Sequence, residues 1–252
     1  MTTQGKTLDT ALTKFTSISL GGMENYTLMK RVETKFLMNY SQFIHFIDAC
    51  DERFFILEID SKRIHHYSSR YFDTDKLTSY YDHHSGKVKR YKVRFRKYDS
   101  SAACFVELKQ KSAQGVTLKQ RATSTWKENL GTEDVCFLET LQKNIPFNKL
   151  KASLSNDFDR ITLLDKKNNE RMTFDLNVNF NHQGKVDDLN KVVIGELKQE
   201  KKGVSEFRSL LSNQGIKSTS FSKYCTGIAL LNPKVKKNNF KKNLVKVGRW
   251  IK

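Results

Sequence analysis

The sequence predicts an α+β chain: a large antiparallel β-sheet, closed or nearly closed into a barrel, with helices flanking its outside. Three observations predict it. Many short segments alternate polar and apolar residues with period two, the pattern of a strand with two unlike faces. Helical spacing is confined to a few short stretches. The polar positions of the strands are charged, with Lys and Arg recurring at i and i+2 in one strand after another.

The elements follow in order. Residues 1–24 are polar and read as a flexible lead-in. Residues 26–39 form a strand and 42–50 a short amphipathic helix. Residues 64–72 are strand-like and end in the turn Asp73-Thr74-Asp75, and 77–84 make a short helix or turn that stops before Gly86. Residues 89–98 and 104–111 alternate strictly and are joined through Asp99-Ser100-Ser101 as a hairpin. A further strand, 116–124, follows Gly115. Residues 133–143 carry Val135, Leu138 and Leu141 at helical spacing. After Pro146 the strand pattern returns in 154–164 and 170–180, a hairpin around Lys166-Lys167-Asn168-Asn169. Residues 191–199 are the last strong strand, and 204–213 and 222–231 are helical. The expected organisation is a lead-in over 1–24, one compact domain over 25–232, and a loosely held basic tail over 233–252.

Composition bounds the function. Of 252 residues 38% are hydrophobic, with 17 Phe and 9 Tyr, enough for one substantial core. Lys and Arg outnumber Asp and Glu by 45 to 27, a formal net charge of +18, which points to a polyanionic partner. Nucleic acid, acidic membrane and polyphosphate all fit that balance, so the placement of the charges has to separate them. No apolar run approaches the roughly 20 residues needed to span a bilayer, and residues 1–23 hold no signal-peptide core. Cys50, Cys104, Cys136 and Cys225 are widely spaced and form no metal-ligand pattern, as expected of free thiols in a reducing cytoplasm. The adjacent pairs His65-His66 and His83-His84 point to opposite faces and are poor candidates for a shared ion.

Residues i and i+2 of a strand share a face. Lys92, Arg94 and Arg96 therefore line one face, with Tyr91, Val93 and Phe95 on the other. Glu107 and Lys109, Glu33 and Lys35, Lys119 and Arg121, and Glu196 and Lys198 repeat the pattern, and Arg171, Thr173 and Asp175 alternate with Met172 and Phe174. Like charges opposed on a sheet destabilise it, and a polyanion held between them relieves the repulsion. A closed barrel puts these faces inside. Such an interior suits phosphoryl transfer: Arg binds phosphate oxygens bidentately, and carboxylates hold Mg²⁺ or Mn²⁺ against them. Glu33, Glu107 and Glu196 are the candidate metal ligands, each followed two residues later by Lys on the same face.

The ordered motifs Arg31-Val32-Glu33-Thr34-Lys35-Phe36, Tyr71-Phe72-Asp73-Thr74, Arg90-Tyr91-Lys92-Val93-Arg94-Phe95-Arg96, Glu107-Leu108-Lys109, Lys119-Gln120-Arg121, Phe158-Asp159-Arg160, Arg171-Met172-Thr173-Phe174-Asp175, Glu196-Leu197-Lys198 and Phe221-Ser222-Lys223-Tyr224 resemble the VTC domain. That is the polyphosphate polymerase domain of the vacuolar transporter chaperone complex and its bacterial relatives, among the triphosphate tunnel enzymes related to CYTH proteins. The resemblance implies a barrel tunnel that binds ATP and polyphosphate and transfers the γ-phosphate of ATP to a growing chain with a divalent metal. Carried over by position, it implies a phosphate-binding set of Lys35, Arg94, Arg96, Lys109, Lys119, Arg121, Arg160, Arg171, Lys198 and Lys223. Lys35, Arg94, Arg96 and Glu196 would be catalytic, and Glu196 the leading metal ligand, with Glu33 and Glu107 as helpers. Two departures stand out: Phe158 occupies a position where the family often carries Tyr, and the first motif has fewer alternating Glu residues than CYTH relatives.

Three functions remain open at this point: a polyphosphate polymerase, a tunnel triphosphatase acting on inorganic or nucleoside triphosphate, and a non-catalytic polyanion-binding module. No specific nucleic-acid partner is expected. The tail, with Leu244, Val247, Trp250 and Ile251 among its lysines, is a candidate for contact with a membrane surface or a partner.

Overall fold

The computed structural model describes residues 8–26, 32–113, 116–201, 203 and 205–251. In chain order these form α1 (Leu8–Leu12), β1 (Thr16–Ile18), β2 (Val32–Asn39), α2 (Tyr40–Ala49), β3 (Phe54–Leu57), β4 (His65–Asp73), α3 (Thr78–His84), β5 (Arg90–Tyr98), β6 (Cys104–Lys111), β7 (Thr117–Ser124), α4 (Thr132–Leu141), β8 (Lys151–Asp165), β9 (Glu170–His182), β10 (Lys185–Asp188), β11 (Val192–Gln199), α5 (Glu206–Asn213), β12 (Ser218–Thr219), α6 (Lys223–Leu231) and α7 (Lys241–Ile251). The expected strand over 26–39 is observed from Val32, and its first part, with Arg31, lies outside the described residues. So do Gly115, before β7, and Val204, before α5.

Local chemistry sets the helix starts. Asn39 and Gln42 cap α2 reciprocally: the Asn39 side chain accepts from the Gln42 amide at 2.8 Å, and the Gln42 side chain accepts from the Asn39 amide at 3.1 Å. Ser205 and Ser222 cap α5 and α6. Asp73, the acid of the Tyr71-Phe72-Asp73-Thr74 motif, is buried, and it accepts from the amides of Thr74, Ser79 and Tyr80 and from the Tyr224 hydroxyl. One carboxylate thus ties α3 and α6 to the end of β4.

The sheet runs β12-β2-β11-β9-β8-β4-β5-β6-β7, with β10 on β9, β3 on β8 and β1 on β3. Every pairing is antiparallel except β1 with β3. Among the described residues its ladder does not close, which corrects the expectation of a closed barrel: β12 and β7 remain as edges. The sheet nonetheless curls round on itself. Lys109 of β6 reaches Glu33 of β2 at 3.2 Å, although five strands separate β6 from β2 along the ladder. Side-chain ion pairing spans the gap that backbone pairing leaves. The exposed edge strand β7 is protected by its own charge, since a Lys- and Arg-bearing edge resists pairing with another chain.

Three apolar clusters hold the curl. On the outside, α1, α2 and α5 cover Phe36, Met38, Met172, Phe174 and Leu197, and α4 covers Val93, Phe95, Val106 and Leu108. The third cluster lies on the inner face at one end, where α6 packs on Leu37, Leu154, Val178, Phe180 and Ile194. The approach is close at Gly227, where a Cβ would stand 2.7 Å from Leu154 Cδ2 and 2.8 Å from Phe180 Cδ1.

A bulge lets β9 serve two cores. Its register against β8 shifts between Asp157 and Asp159, which pair with Asn179 and Leu176, and Asn177 takes a positive φ of 51°. Before the bulge Met172, Phe174 and Leu176 face the outer core; after it Val178 and Phe180 face α6. Straight alternation places all five on one face.

Both termini correct the sequence expectation. The lead-in is structured from Leu8: Ala11, Leu12 and Phe15 are buried in the outer core, β1 pairs with β3, and the Lys14 ammonium donates to the carbonyls of Ile47, Asp48 and Cys50 at the end of α2. A five-residue helix and a three-residue strand are too short to register as periodicity. The basic tail forms α7, which buries Val247 and packs Leu244, Trp250 and Ile251 on the α6 cluster. Its apolar stripe is spent on the core of its own chain. Among the described residues, no helix is long and apolar enough to cross a membrane.

The bulge makes a controlled prediction. Asn177→Val and Asn177→Gly both lose the hydrogen bond to Asp159, but only Val resists a positive φ. Val should be less stable than Gly by about 1–2 kcal/mol, read from denaturation midpoints at matched slopes. Equal stability would mean that the bulge does not need this backbone conformation.

Candidate polyanion tunnel

The inner face of the curled sheet is a wall of cations. On β5 it carries Lys92, Arg94 and Arg96, and the register places their neighbours. Lys92 stands beside Lys109, which stands beside Lys119; Arg94 stands beside Glu107, which stands beside Arg121. On the facing wall Glu196 lies between Lys35 and Thr173, and Lys198 between Glu33 and Arg171. Arg160 lies opposite Asp175, and Lys223 enters from the first turn of α6. The N-terminus of that helix adds a partial positive charge.

Two buried carboxylates hold the wall together. Glu107 Oε2 accepts from Arg94 Nε at 2.7 Å and faces Arg94 Nη2 at 2.6 Å, while Oε1 faces Lys119 at 2.5 Å. Burial alone would raise its pKa, but Arg94, Arg96 and Lys119 hold it well below the usual carboxylate range. Asp175 accepts bidentately from Arg160, at 2.6 and 2.9 Å, and also pairs with Lys223. Burial opposes its ionisation too, and Arg160 and Lys223 outweigh it. Both acids are nearly inaccessible, at 1% and 2% exposure.

This geometry corrects one expectation. Glu107 is 1% exposed, with both oxygens held within 2.7 Å of cationic side chains, so it braces the wall instead of holding a metal. Glu196 and Glu33 are placed differently. Glu196 meets Lys198 at 3.2 Å and Lys35 at 3.5 Å, and Glu33 meets Lys109 across the tunnel. Burial and the neighbouring Glu196 charge raise the Glu33 pKa, Lys109 and Lys198 lower it, and the net shift is downward. Glu196 is also shifted down, with Lys198, Lys35 and Arg160 overcoming burial. Two ionised carboxylates close enough to repel one another are oxygen donors of the kind that suits a divalent cation. Among the described residues no three His, Cys, Asp or Glu side chains converge as a self-sufficient metal site.

Aromatic rings form the floor. The guanidinium groups of Arg96 and Arg160 lie over both Tyr67 and Phe158, at 5.0–5.6 Å from the ring centroids, and Lys223 lies 4.2 Å from the Phe158 centroid. The face of Phe158 thus supports three cations without a hydroxyl. Arg94 donates to the Tyr71 hydroxyl at 3.1 Å. Burial would raise the Tyr71 pKa, but Arg94, Arg96 and Lys223 bring it down to about 8.

Most of the expected set therefore converges: Lys35, Arg94, Arg96, Lys109, Lys119, Arg160, Arg171, Lys198 and Lys223 share the inner face with Glu33 and Glu196. Arg121 is peripheral, exposed on edge strand β7 with its guanidinium 4.4 Å from the Phe105 ring centroid. Sequence reasoning left Asp175, Tyr71, Lys92 and Ser222 out of the site. Alternation did place Asp175 with Arg171 and Lys92 with Arg94, so their faces were available. The bond from Lys92 to the Ser222 hydroxyl, at 2.8 Å, joins residues 130 positions apart and has no local signal.

The fold and site define a class: a curled antiparallel sheet whose inner face is a basic tunnel built to take a polyanion. The family model for the VTC domain matches residues 30–232, and the chain belongs to the VTC domain family. No curated protein matches it. Among solved structures it is similar to a proposed adenylate cyclase from Bacillus halodurans (17% identity, 77% of this chain, 94% of that one, TM-score 0.49). It is also similar to a protein from Pyrococcus horikoshii OT3 (14%, 79% and 98%, TM-score 0.45). A third likeness is to a proposed adenylyl cyclase from Hippeastrum described as having a dominant triphosphatase activity (13%, 79% and 96%, TM-score 0.39). At TM-scores under 0.5 these likenesses establish neither activity nor ligand.

Two predictions follow from the charge arrangement. Glu107→Gln leaves Arg94 and Lys119 without their counter-charge and should cost roughly 3 kcal/mol of stability, measured by urea denaturation; an unchanged midpoint would remove Glu107 as the brace. The second concerns pH. Burial, reinforced by Arg94 and Arg96, brings Lys119 down to about 8 against the pull of Glu107; burial and Arg160 do the same to Lys223 against Asp175. Above pH 8 both lysines lose charge and Tyr71 gains it, so affinity for tripolyphosphate should fall between pH 7 and pH 9. A bound polyanion raises all three pKa values, so binding near pH 8 should take up protons. Calorimetry in two buffers of different ionisation enthalpy reads this directly, and zero proton uptake would contradict it.

Proposed function

We propose that this chain is a metal-dependent polyphosphate polymerase that transfers the γ-phosphate of ATP to a growing polyphosphate chain inside the tunnel. The observation that supports the reading is the gathering of Arg94, Arg96, Arg160, Lys35, Lys198 and Lys223 on one inner face around the Glu33–Glu196 pair. These cations exceed the carboxylates that brace them, so the site carries surplus positive charge at fixed positions. Preorganised charge of this kind stabilises a transition state without reorganising at the moment of reaction.

Each residue has a role in that reading. Arg94, held by Glu107 and Tyr71, presents its remaining donors to the phosphate chain, and Arg96 and Arg160 grip it over the aromatic floor. Lys35 and Lys198 flank the transferred group beside Glu196. Glu33 and Glu196 would hold a Mn²⁺ or Mg²⁺ ion, which would supply Lewis-acid stabilisation of the charge that develops on the phosphate. The bond from the γ-phosphorus to the β–γ bridging oxygen breaks, a new bond forms to the terminal oxygen of the acceptor chain, and ADP leaves. That terminal oxygen is already anionic, so the transfer needs no general base. His83, the histidine near the tunnel, is held neutral to about pH 3 by burial and by Lys92, Arg90, Lys35 and Lys111. ATP as substrate and the free state of the four cysteines fit a cytoplasmic setting.

Incubation with ATP and Mn²⁺ should yield polyphosphate, detected on a gel. Phosphate release without polymer would make the chain a triphosphatase, and binding without turnover a polyanion-binding module. Glu196→Gln should lose at least about tenfold in metal-dependent rate while keeping metal-free polyphosphate binding. An unchanged rate across a Mn²⁺ titration would remove Glu196 from the site.

A further inference from the structure

The helix α7 lies along the β2 edge of the sheet and is fixed there by polar contacts. Lys246 donates to the Leu37 carbonyl of β2 at 2.9 Å, and Asn243 accepts from the Thr219 hydroxyl of β12 at 2.9 Å and donates to the Ser220 carbonyl. Leu244, Val247 and Ile251 turn inward onto the α6 cluster. Residues three and four apart share a helix face, so Lys241, Lys242, Val245 and Arg249 turn another way, and all four are exposed. The segment leading into the helix adds Lys234, Lys236 and Lys237, also exposed. From Asn232 to Ile251 the chain carries seven Lys and Arg and no Asp or Glu. Among the described residues none of the seven is ion-paired. The tunnel cations are braced by Glu107 and Asp175; those of α7 face outward without a brace. Apolar groups stand among them. Val245, 45% exposed, sits within the cationic face. At the far end of the helix Lys191 donates to the Ile251 carbonyl at 3.4 Å, and its own carbonyl accepts from the Tyr40 amide at 3.0 Å. That corner brings Tyr40, 40% exposed, toward the end of α7, where Trp250 is half-buried with the Lys246 ammonium 4.8 Å from its ring centroid.

We infer that the outer face of α7 docks on an anionic phospholipid bilayer. Lys241, Lys242 and Arg249 lie against the lipid headgroups, and Val245 and Tyr40 reach the boundary between headgroup and acyl chain. Cations interleaved with an exposed aliphatic residue and flanked by Tyr and Trp match such a surface, where charge draws the protein in and amphipathic rings settle at headgroup level. A soluble polyanion would use the cations and leave Val245 and Tyr40 without a role. A single nucleic-acid strand stacks its bases on presented rings, whereas Phe240 and Trp250 pack against the α6 cluster. The attachment is electrostatic and reversible, because the apolar stripe of α7 is buried in its own chain and cannot insert as a free amphipathic helix does. No residue of the tunnel contributes to this face, so the inference does not depend on the reaction proposed above.

Co-sedimentation with vesicles tests it, using phosphatidylserine mixed with phosphatidylcholine against phosphatidylcholine alone. The wild type should bind the mixed vesicles, fail to bind phosphatidylcholine alone, and be released by high salt. The triple variant Lys241→Ala, Lys242→Ala, Arg249→Ala should bind the mixed vesicles on the order of 100-fold more weakly. Its urea midpoint controls for folding, and calorimetry with tripolyphosphate, expected to stay within about twofold of the wild type, reports the tunnel separately. Long-chain polyphosphate and a single-stranded oligonucleotide form the competing arms. No binding of the wild type to the mixed vesicles, or equal binding by wild type and variant, overturns the inference. A variant that loses polyphosphate or oligonucleotide binding but keeps its vesicle binding makes the face a site for a soluble polyanion and overturns the lipid assignment. Loss of tripolyphosphate binding by the wild type would overturn the tunnel reading and leave this one standing.

Discussion

The molecule depends on two buried carboxylates that hold a wall of like charges together. Lys92, Lys109 and Lys119 stand side by side on three adjacent strands, a register that repels itself. Glu107 offsets that repulsion on one side by taking Arg94 and Lys119, and Asp175 offsets it on the other by taking Arg160 and Lys223. Neither acid neutralises its whole neighbourhood. The wall is therefore stable enough to fold while it keeps a surplus of positive charge on its inner face.

The same balance explains why the sheet can remain open. A barrel closed by hydrogen bonds fixes its diameter through its strand number and stagger. Here the last step between walls is made by Lys109 and Glu33, two flexible side chains, while the outer helices and α6 set the curvature through apolar packing. The inner face is thus partitioned along its length. One end is filled by α6 on Val178 and Phe180, and the remainder is left to charged side chains. The bulge at Asn177 makes that partition, because it turns β9 over where the polar lining gives way to the plug.

Membership of the VTC domain family fits this division of labour without deciding the reaction. A basic lining serves polymerase, hydrolase and binding module alike. Among the described residues, the Glu33 and Glu196 carboxylates on neighbouring strands are the acids of the inner face that are not held by an arginine–carboxylate brace of the Glu107 or Asp175 kind.

The sequence by itself determined the fold class, most of the strands and the residues of the charged face, because a strand's period of two is written directly into residue order. Arg94 with Arg96, Lys119 with Arg121 and Glu196 with Lys198 were legible for that reason. The openness of the sheet, the structured termini and the reversal at Asn177 were not, since each depends on partners remote in sequence or on elements too short to show a period. The clearest case is the spelling Glu-x-Lys, which occurs at Glu33, Glu107 and Glu196. In each it promises one shared face, and at Glu196 the carboxylate meets its own following lysine, Lys198. Glu107 is claimed by Arg94 and Lys119 from the strands on either side, and Glu33 by Lys109 from the opposite wall. Spacing along a strand decides which way a side chain points. Which charge it meets there is decided by the neighbouring strands and the curl of the sheet, and only the tertiary structure supplies those.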